Sequence, residues 1–524
     1  MHVSLKQKLN QVDSDLSNPH NLLKSLQQIR HSVVKEGTEI FHLWQEWIER
    51  ENFIPSAQNL AFYLALRRQD LRKIQLALMP WGLSSLGRIE ARVLENLDAV
   101  IATLGHICGH NSHNLPDRIP LEAFFAGDEI LSDRTEEVFG TIPMYLPRQF
   151  CDLKINAQTS EYYHRQVRIM VTLPTVAADN YQLVLKLLQS GSDCFRINCA
   201  RDNLDIWSRA IDNIRKAELE TGRSCKILMD LAGPKIRIGR VLYPSSQKRI
   251  FLGDTLLLTA TPPQKRDREI FQANCTLPEI LEQLTIGTPV WIDDGKIGAV
   301  VKSILPQGVE LEITRARFKG EKLNPDKGIN FPDTAIDLNP LTSKDRQDLD
   351  FIAQKADLIG YSFVQKATDI ELLQLELQMR LGNKWREKAI VAKIETPEAI
   401  KNLPELIVRA AGKQPFAVMI ARGDLAVEIG YQRLAEMQEE ILWLCEAAHI
   451  PVIWATQVLE NLVKKGIPSR AEITDAAMAE RAECVMLNKG RFIVEAVTIL
   501  DDVLTRMEAH QRKKTPQLRA LKSW

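Results

Sequence analysis

The 524-residue sequence has no excess of either charge, since 67 Lys and Arg balance 67 Asp and Glu. That excludes a globally basic nucleic-acid binder and a disordered acidic chain as readings. No window approaches the ~18 uninterrupted apolar residues of a membrane span. The opening MHVSLKQKLNQVDSDLSNPHNLL lacks an apolar signal core and a small-residue cleavage site. The eight cysteines form no CxxC pair and no small-domain framework. Most lie in apolar runs such as FRINCA, CKILMD and ILWLCEAA and read as reduced core thiols. What is present is a hydrophobic fraction of 45%, ordinary for globular chains. At about 150 residues per domain, the length predicts two to four domains. The chain reads as soluble, cytoplasmic and multidomain, without membrane or nucleic-acid partners.

Three regimes follow along the chain. Residues 1–165 read as a helical N-terminal extension and connector. Apolar stripes lie in LLKSLQQIRHSVV and FHLWQEWI, a third helical stretch runs from Asn59 to Leu78, and another in LGRIEARVLENLDAVIATLG closes on Gly105. Gly109 to about Arg165 reads as a looser connector. From Val167 the continuous apolar runs RIMVTLP, CFRINC and CKILMD alternate with helical segments ending in Gly, the pattern of a parallel sheet covered on both faces. Residues 240–326 switch to alternating runs bounded by Gly and Asp and predict an all-β insert. The strand–helix rhythm then resumes. Counted across the insert it predicts eight units, an α/β fold of the TIM (β/α)8 barrel type over 166–239 and 327–510, with the insert hung after strand three. Residues 511–524 carry Arg512, Lys513, Lys514, Arg519 and Lys522 and read as a solvated basic tail.

In such a barrel the active site lies at the C-terminal ends of the strands. The residues predicted there are Arg196 and Asn198 after strand two, Asp230 after three, and Ser362 with Lys366 after four. Lys393 and Glu395 follow strand five, Arg422-Gly423-Asp424 strand six, Thr456-Gln457 strand seven and Asn488 strand eight. No histidine is among them, which argues against a His general base or a Ser hydrolase. The set suits a site that neutralises several negative charges. Glu395 and Asp424 are placed to hold one Mg²⁺ or Mn²⁺ while leaving positions open for substrate oxygens. Arg196 and Lys393 are placed to embrace a phosphoryl group. One pair alone, Lys393–Glu395 or Arg422–Asp424, reads as a strand-end ion pair; a whole ring at one mouth argues for a site.

These residues sit in blocks that resemble the pyruvate kinase family: FRINCA, MDLAGPKIRIG, VWIDDGKI, KGINFPDTAIDL, DLIGYSFVQKATDI, AKIETPEAI, MIARGDLAVEI, PVIWATQVLEN and PSRAEITDAAMA. They occur in family order from Arg168 to Met507, roughly two thirds of the chain. The resemblance implies Mg-dependent phosphoryl transfer from phosphoenolpyruvate to ADP in glycolysis, giving pyruvate and ATP. It implies that Glu395 and Asp424 bind the metal, and that Lys393 stabilises the phosphoryl group in flight. Arg196 grips the phosphate and Asn198 lines the site. Backbone amides around Arg422, Gly423 and Asp424 hold the substrate carboxylate near Ser362, and Thr456 delivers a proton to the enolpyruvate carbon. Arg237 lies near the nucleotide phosphates, and the β insert closes as a lid.

Departures from the family pattern shape further expectations. The positions that hold potassium in the family are Ala200 and Leu231, and Lys235 stands where many potassium-requiring members have Glu. An ammonium there supplies the charge, so potassium is expected not to be required. A nucleotide-contacting family His is Arg201 here. TLPTVA and MLNKGRF differ from the family on the nucleotide side, and the family's C-terminal domain, part of its assembly contacts, is expected to be absent; a homo-oligomer stays open. Two rival readings share the barrel: a metal-dependent lyase or aldolase on pyruvate or phosphoenolpyruvate, and a regulatory binding protein that has lost nucleotide use. Elsewhere, His106, Cys108, His110 and His113 offer metal donors but match no standard zinc spacing and read as a polar loop. Arg67, Arg68, Arg72 and Lys73 read as a solvated helix face rather than a DNA-binding one. Asp293-Asp294-Gly295 reads as a turn between lid strands.

Overall fold

The computed structural model describes residues 14–84, 86–109, 119–142, 165–264, 269–332, 334 and 338–516. Eight parallel strands close into a barrel: β1 (Arg168–Thr172), β2 (Cys194–Asn198), β3 (Lys226–Asp230), β4 (Leu358–Tyr361), β5 (Ala389–Ile394), β6 (Phe416–Ala421), β7 (Val452–Ala455) and β8 (Cys484–Leu487). Each is flanked by its sequence neighbours, and β8 pairs with β1 to complete the ring. Every residue of β1, β5 and β6 is buried, which is why these strands read as unbroken apolar runs rather than alternating ones.

The barrel is interrupted between β3 and β4 by a seven-stranded sheet running from Ile238–Leu242 to Ile329–Asn330. It encloses its own core, with Leu256, Phe271, Val290, Ile313 and Phe331. Asp293, Asp294 and Gly295 all have positive φ and turn the chain between strands Pro289–Ile292 and Ile297–Leu305, the conformation a two-stranded turn requires.

Among the described residues, five α-helices precede the barrel: α1 (Pro19–Trp44), α2 (Ile54–Arg67), α3 (Arg72–Leu78), α4 (Val93–Ile107) and α5 (Leu121–Phe139). The first two apolar stripes merge into α1, whose N-terminus is capped by Asn18 accepting from the His20 amide. The stretch expected as one helix from Asn59 to Leu78 divides, because the Asp70 carboxylate accepts the Arg72 amide at 3.1 Å and starts α3 there. The largest difference is α5, 19 residues within the stretch read as a connector. Its mid-helix Gly127 weakens the helical signal but is needed, since a Cβ there would lie 2.0 Å from the Ala91 carbonyl oxygen and 2.6 Å from His449 Nε2.

The last turn of α5 seals the barrel floor. Val138 and Phe139 form one apolar cluster with the inward-facing Met170, Cys194, Leu228, Val391, Met419 and Met486. Arg134 donates to the carbonyls of Ala448 and His449 at 3.0 and 3.2 Å. His449 bridges Ser56 Oγ at 2.8 Å and the Ala91 carbonyl at 3.0 Å, and burial pushes its pKa down to about 4. The extension therefore shares one continuous core with the barrel helices.

The tail is not solvated at its start. Gln511–Arg512 and Thr515–Pro516 pair as a small hairpin. Lys513 bonds Glu483 at the barrel floor, Lys514 bonds Glu90 of the extension, and the Lys514 ammonium stands 4.8 Å from the Trp443 ring. These acids lie far away in sequence, so a run of like charges gives no sign of them. Arg519 and Lys522 fall outside the described residues. The basic helix face is satisfied within the extension and its neighbours. Arg67 lies over the Tyr63 and Trp443 rings, Arg68 pairs with Glu36, and Arg72 with Asp70. His106 and Cys108 end α4; His110 and His113 lie outside the described residues. Among the described residues, no helix is long and apolar enough to cross a membrane.

Candidate active site

The strand-end residues converge on one mouth of the barrel. Asp230, at the end of β3, is 1% exposed and accepts from Arg196 Nε at 3.0 Å and from its Nη2. Lys393 Nζ, from β5, stands 3.0 Å from Glu395 Oε1 and 3.4 Å from Asp230 Oδ2. Gly360 of β4 makes the close packing possible, because a Cβ there would sit 2.3 Å from Asp230 Oδ1. Burial works against charge on Lys393, but Asp230 and Glu395 outweigh it and hold its pKa above the ordinary lysine value. Burial likewise opposes ionised Asp230, and Lys393 and Arg196 outweigh that to hold it below the carboxylate range. Lys393 is therefore a fixed cation, not a base.

Glu395 differs. Burial raises its pKa and repulsion from Asp424 adds to that, against the pull of Lys393. Its Oε2 accepts the Phe363 amide at 2.7 Å. Two carboxylates close enough to repel each other suit a shared divalent cation, and Mg²⁺ characteristically uses one or two protein carboxylates and completes its shell with water and substrate oxygens. Among the described residues, no cluster of three or more His, Cys, Asp or Glu side chains stands ready to cage a metal. The donor set thus fits a metal held partly by substrate. In the structure both oxygens of Asp424 accept from Lys235 Nζ, at 2.7 and 2.9 Å. Arg196, Lys235 and Lys393 thereby face Asp230, Glu395 and Asp424, three cations against three carboxylates.

Ser362 donates to the Leu231 carbonyl and accepts from Lys393 Nζ, each at 2.7 Å, so it orients Lys393. The Arg422 side chain turns away from the mouth. It pairs with Asp475 through both terminal nitrogens, donates to the carbonyls of Ala455 and Thr456 at 2.9 and 2.6 Å, and lies over the Trp454 ring at 4.7 Å. Thr456 and Gln457 both adopt positive φ, 63° and 60°, a conformation β-branched residues avoid unless held. The Thr456 Oγ1 is buried without a hydrogen-bond partner and lies 3.8 Å from where a Cβ on Gly423 would be. Asp475 and Trp454 were absent from the sequence reading. Neither is at a strand end, and only the contact with Arg422 marks them.

Above the mouth a cleft of about 500 Å³ separates barrel and lid, lined among others by Lys235, Asp424, Glu428, Lys366 and Thr396. Asn330 of the lid donates to Glu428 at 2.8 Å. Arg237 sits at the lid base, where its guanidinium donates to the Asp326 carbonyl at 2.9 Å. On the opposite side, the loops after β8, β1 and β2 adjoin because those strands are neighbours. Asn198, Arg201, Asp202, Thr175 and Lys489 line a small hollow there. Asn198 Oδ1 accepts the Ala200 amide at 3.0 Å and shapes that loop. Lys489, also unread in the sequence, has its pKa lowered by burial and then by the Arg201 cation. Its position directly after Asn488 was the available signal.

Residues 164–497 match the family model described as pyruvate kinase, barrel domain. The chain is 30% identical over 351 residues to Pyruvate kinase 2 of Synechocystis sp., covering 66% of this chain and 57% of that protein. It is 31% identical over 360 residues to Pyruvate kinase PKLR of Rattus norvegicus, covering 66% and 60%. With a Pyruvate kinase of Agrobacterium vitis the identity is 32% over 357 residues, covering 66% and 70%. The match thus spans under two thirds of the length of the first two relatives.

Proposed function

The chain belongs to the pyruvate kinase family, and on that premise we propose that it transfers a phosphoryl group from phosphoenolpyruvate to ADP. The observation that carries this reading is Lys393, buried among Asp230, Glu395 and Ser362 at the mouth and held protonated by its neighbours. A phosphoryl group in transfer needs charge compensation and positioning more than covalent help. A preorganised ammonium in a dry site supplies both. Arg196, locked on Asp230, offers the same phosphate a second cation. Amides at the start of helix Arg422–Ile429 face the substrate carboxylate. Thr456, with an unused buried hydroxyl, hands a proton to the enolpyruvate carbon. Glu395 and Asp424 would hold the divalent cation, which when bound supplies neutralising charge between substrate oxygens.

Arg201 and Arg237 serve the nucleotide phosphates in this reading, and the lid covers them. Lys235, bonded to Asp424, supports independence from potassium, since its ammonium already brings a monovalent positive charge to that carboxylate. The test is pyruvate release from phosphoenolpyruvate with Mg²⁺, with and without ADP. The expected result is pyruvate only with ADP and ATP in equal amount. Pyruvate and inorganic phosphate formed without ADP would mean that water takes the phosphoryl group and would overturn transfer to a nucleotide, and binding without turnover on any nucleoside diphosphate would point to a sensor.

A further inference from the structure

Opposite the mouth, a cleft of about 860 Å³ opens where three parts of the chain meet: α5 with Ala91, the starts of β1 and β8, and the closing hairpin. The hairpin shows what this space receives. The Lys513 ammonium enters it and donates to the Glu483 carboxylate and to the Arg481 carbonyl, the latter at 3.0 Å. Four more carboxyls line the same cleft: Asp128 is paired with Arg92, whereas Glu446, Glu480 and Glu508 have no ion-pair partner among the described residues. Glu480 is 6% exposed, and its Oε2 has no hydrogen-bond partner. Glu508 receives only the Gln166 amide, at 3.1 Å.

Two of the neighbouring cations are engaged elsewhere, while Arg512 lines the cleft itself and acts on Glu508 through space. Arg168 gives its guanidinium to the carbonyls of Gln166 and Gly140, and Lys514 is bonded to Glu90. Among the described residues no three acidic, His or Cys side chains stand close enough to share a metal ion. The acceptors are therefore too dispersed for one ion but suited to several linked ones. We propose that this cleft binds a linear aliphatic polyamine, whose ammonium groups take the unpaired carboxyls as Lys513 takes Glu483.

The electrostatics gives the site a signature. Burial pushes Glu446, Glu480 and Glu508 each up to about 7. On Glu446, Lys513 and Lys514 pull downward while Glu90 and Glu483 push upward. On Glu480, Gln511 and Lys513 pull downward against Glu508 and Glu483. On Glu508, the Gln166 amide, Arg512 and Arg165 pull downward. Near neutral pH these carboxyls are partly protonated. An arriving ammonium favours their ionised form, so binding expels protons and tightens as pH rises through neutrality.

The test is calorimetric titration of the full chain with spermidine near neutral pH, in two buffers of different ionisation enthalpy. NaCl and MgCl₂ at matched ionic strength are the controls, and binding is read without reference to phosphoryl transfer. Expected are saturable spermidine binding, proton release that differs in heat between the buffers, and affinity weakened about tenfold in Glu480→Gln and in Glu446→Gln. Each amide mimics the protonated acid already present, so both variants retain the fold. Ser132→Lys, which tethers an ammonium at the cleft, should compete and weaken spermidine as well. No saturable binding, an equal response to NaCl or MgCl₂, or unchanged affinity in all three variants would overturn the proposal.

Discussion

Replacing Asp475 by Asn removes one charge from a chain of contacts that ends at Thr456. The Arg422 guanidinium is buried, with 9% of its side chain exposed, and Asp475 is its carboxylate partner, 28% exposed. Breaking a fully buried ion pair by removing one partner costs about 3–5 kcal/mol. The partial exposure of Asp475 admits water and reduces this to about 1–2 kcal/mol. The positive-φ conformation of Thr456 costs about 1–3 kcal/mol and persists only while it is held. Arg422 holds it, through the 2.6 Å bond to the Thr456 carbonyl. The two magnitudes are comparable, so in Asp475→Asn the Thr456 hydroxyl leaves its place for a substantial fraction of the time. At about 1.4 kcal/mol per tenfold, turnover should fall roughly 5- to 30-fold. The KM for phosphoenolpyruvate should change less than about threefold, because Arg422 faces away from the mouth. Steady-state pyruvate release gives both constants, and exchange of the pyruvate methyl protons into D₂O, followed by NMR, reads the proton step alone. Unchanged turnover and exchange beside a lowered thermal midpoint would mean that Asp475 only stabilises the fold, and the reasoning would be wrong.

Lys393→Ala should abolish turnover while leaving phosphoenolpyruvate binding within about tenfold, since Arg196 and the amides at Arg422–Asp424 remain; near-normal turnover would refute the assignment. Turnover should be alike in potassium and sodium salts at equal ionic strength, and strong activation by potassium would overturn the role given to Lys235. His449, with a folded pKa of about 4, refuses a proton that the unfolded chain takes near pH 6.5. Its contribution to stability is therefore intact above about 6.5 and lost as pH falls towards about 4, by up to about 3 kcal/mol. Urea midpoints measured across that range should fall less steeply in His449→Gln, and an unchanged slope would remove His449 as the cause.

The barrel was legible because its strands are buried on both faces, so RIMVT, CFRIN and AIVAKI stand out as unbroken apolar runs. The mouth was legible for a related reason: charged residues directly after such runs have few structural uses. Lys393, Glu395, Arg196 and Asp230 do meet there, whereas the Arg422 side chain does not face them. Its direction depends on Asp475, 53 positions later. The helix α5 stayed hidden because Gly127 and its several acids dilute the apolar stripe, and its purpose, to place Phe139 in the barrel floor, exists only once the strands have closed. The tail misled for the opposite reason. Charge runs are usually solvated, and nothing local to Lys513 or Lys514 announces Glu483 or Glu90.

The bond between Lys514 and Glu90 joins residues 424 positions apart. During synthesis the early helices leave the ribosome with their apolar faces uncovered, and their partners on helix Tyr431–Ala447 and the hairpin arrive only after β1 to β6 have been made. Contacts of such separation slow folding, and waiting apolar surface invites aggregation or chaperone capture. The short hairpin acts as a latch thrown only after β8 has been made. Nascent chains halted before Lys513 should remain sensitive to protease in α1–α5, while chains extended past Lys514 should not.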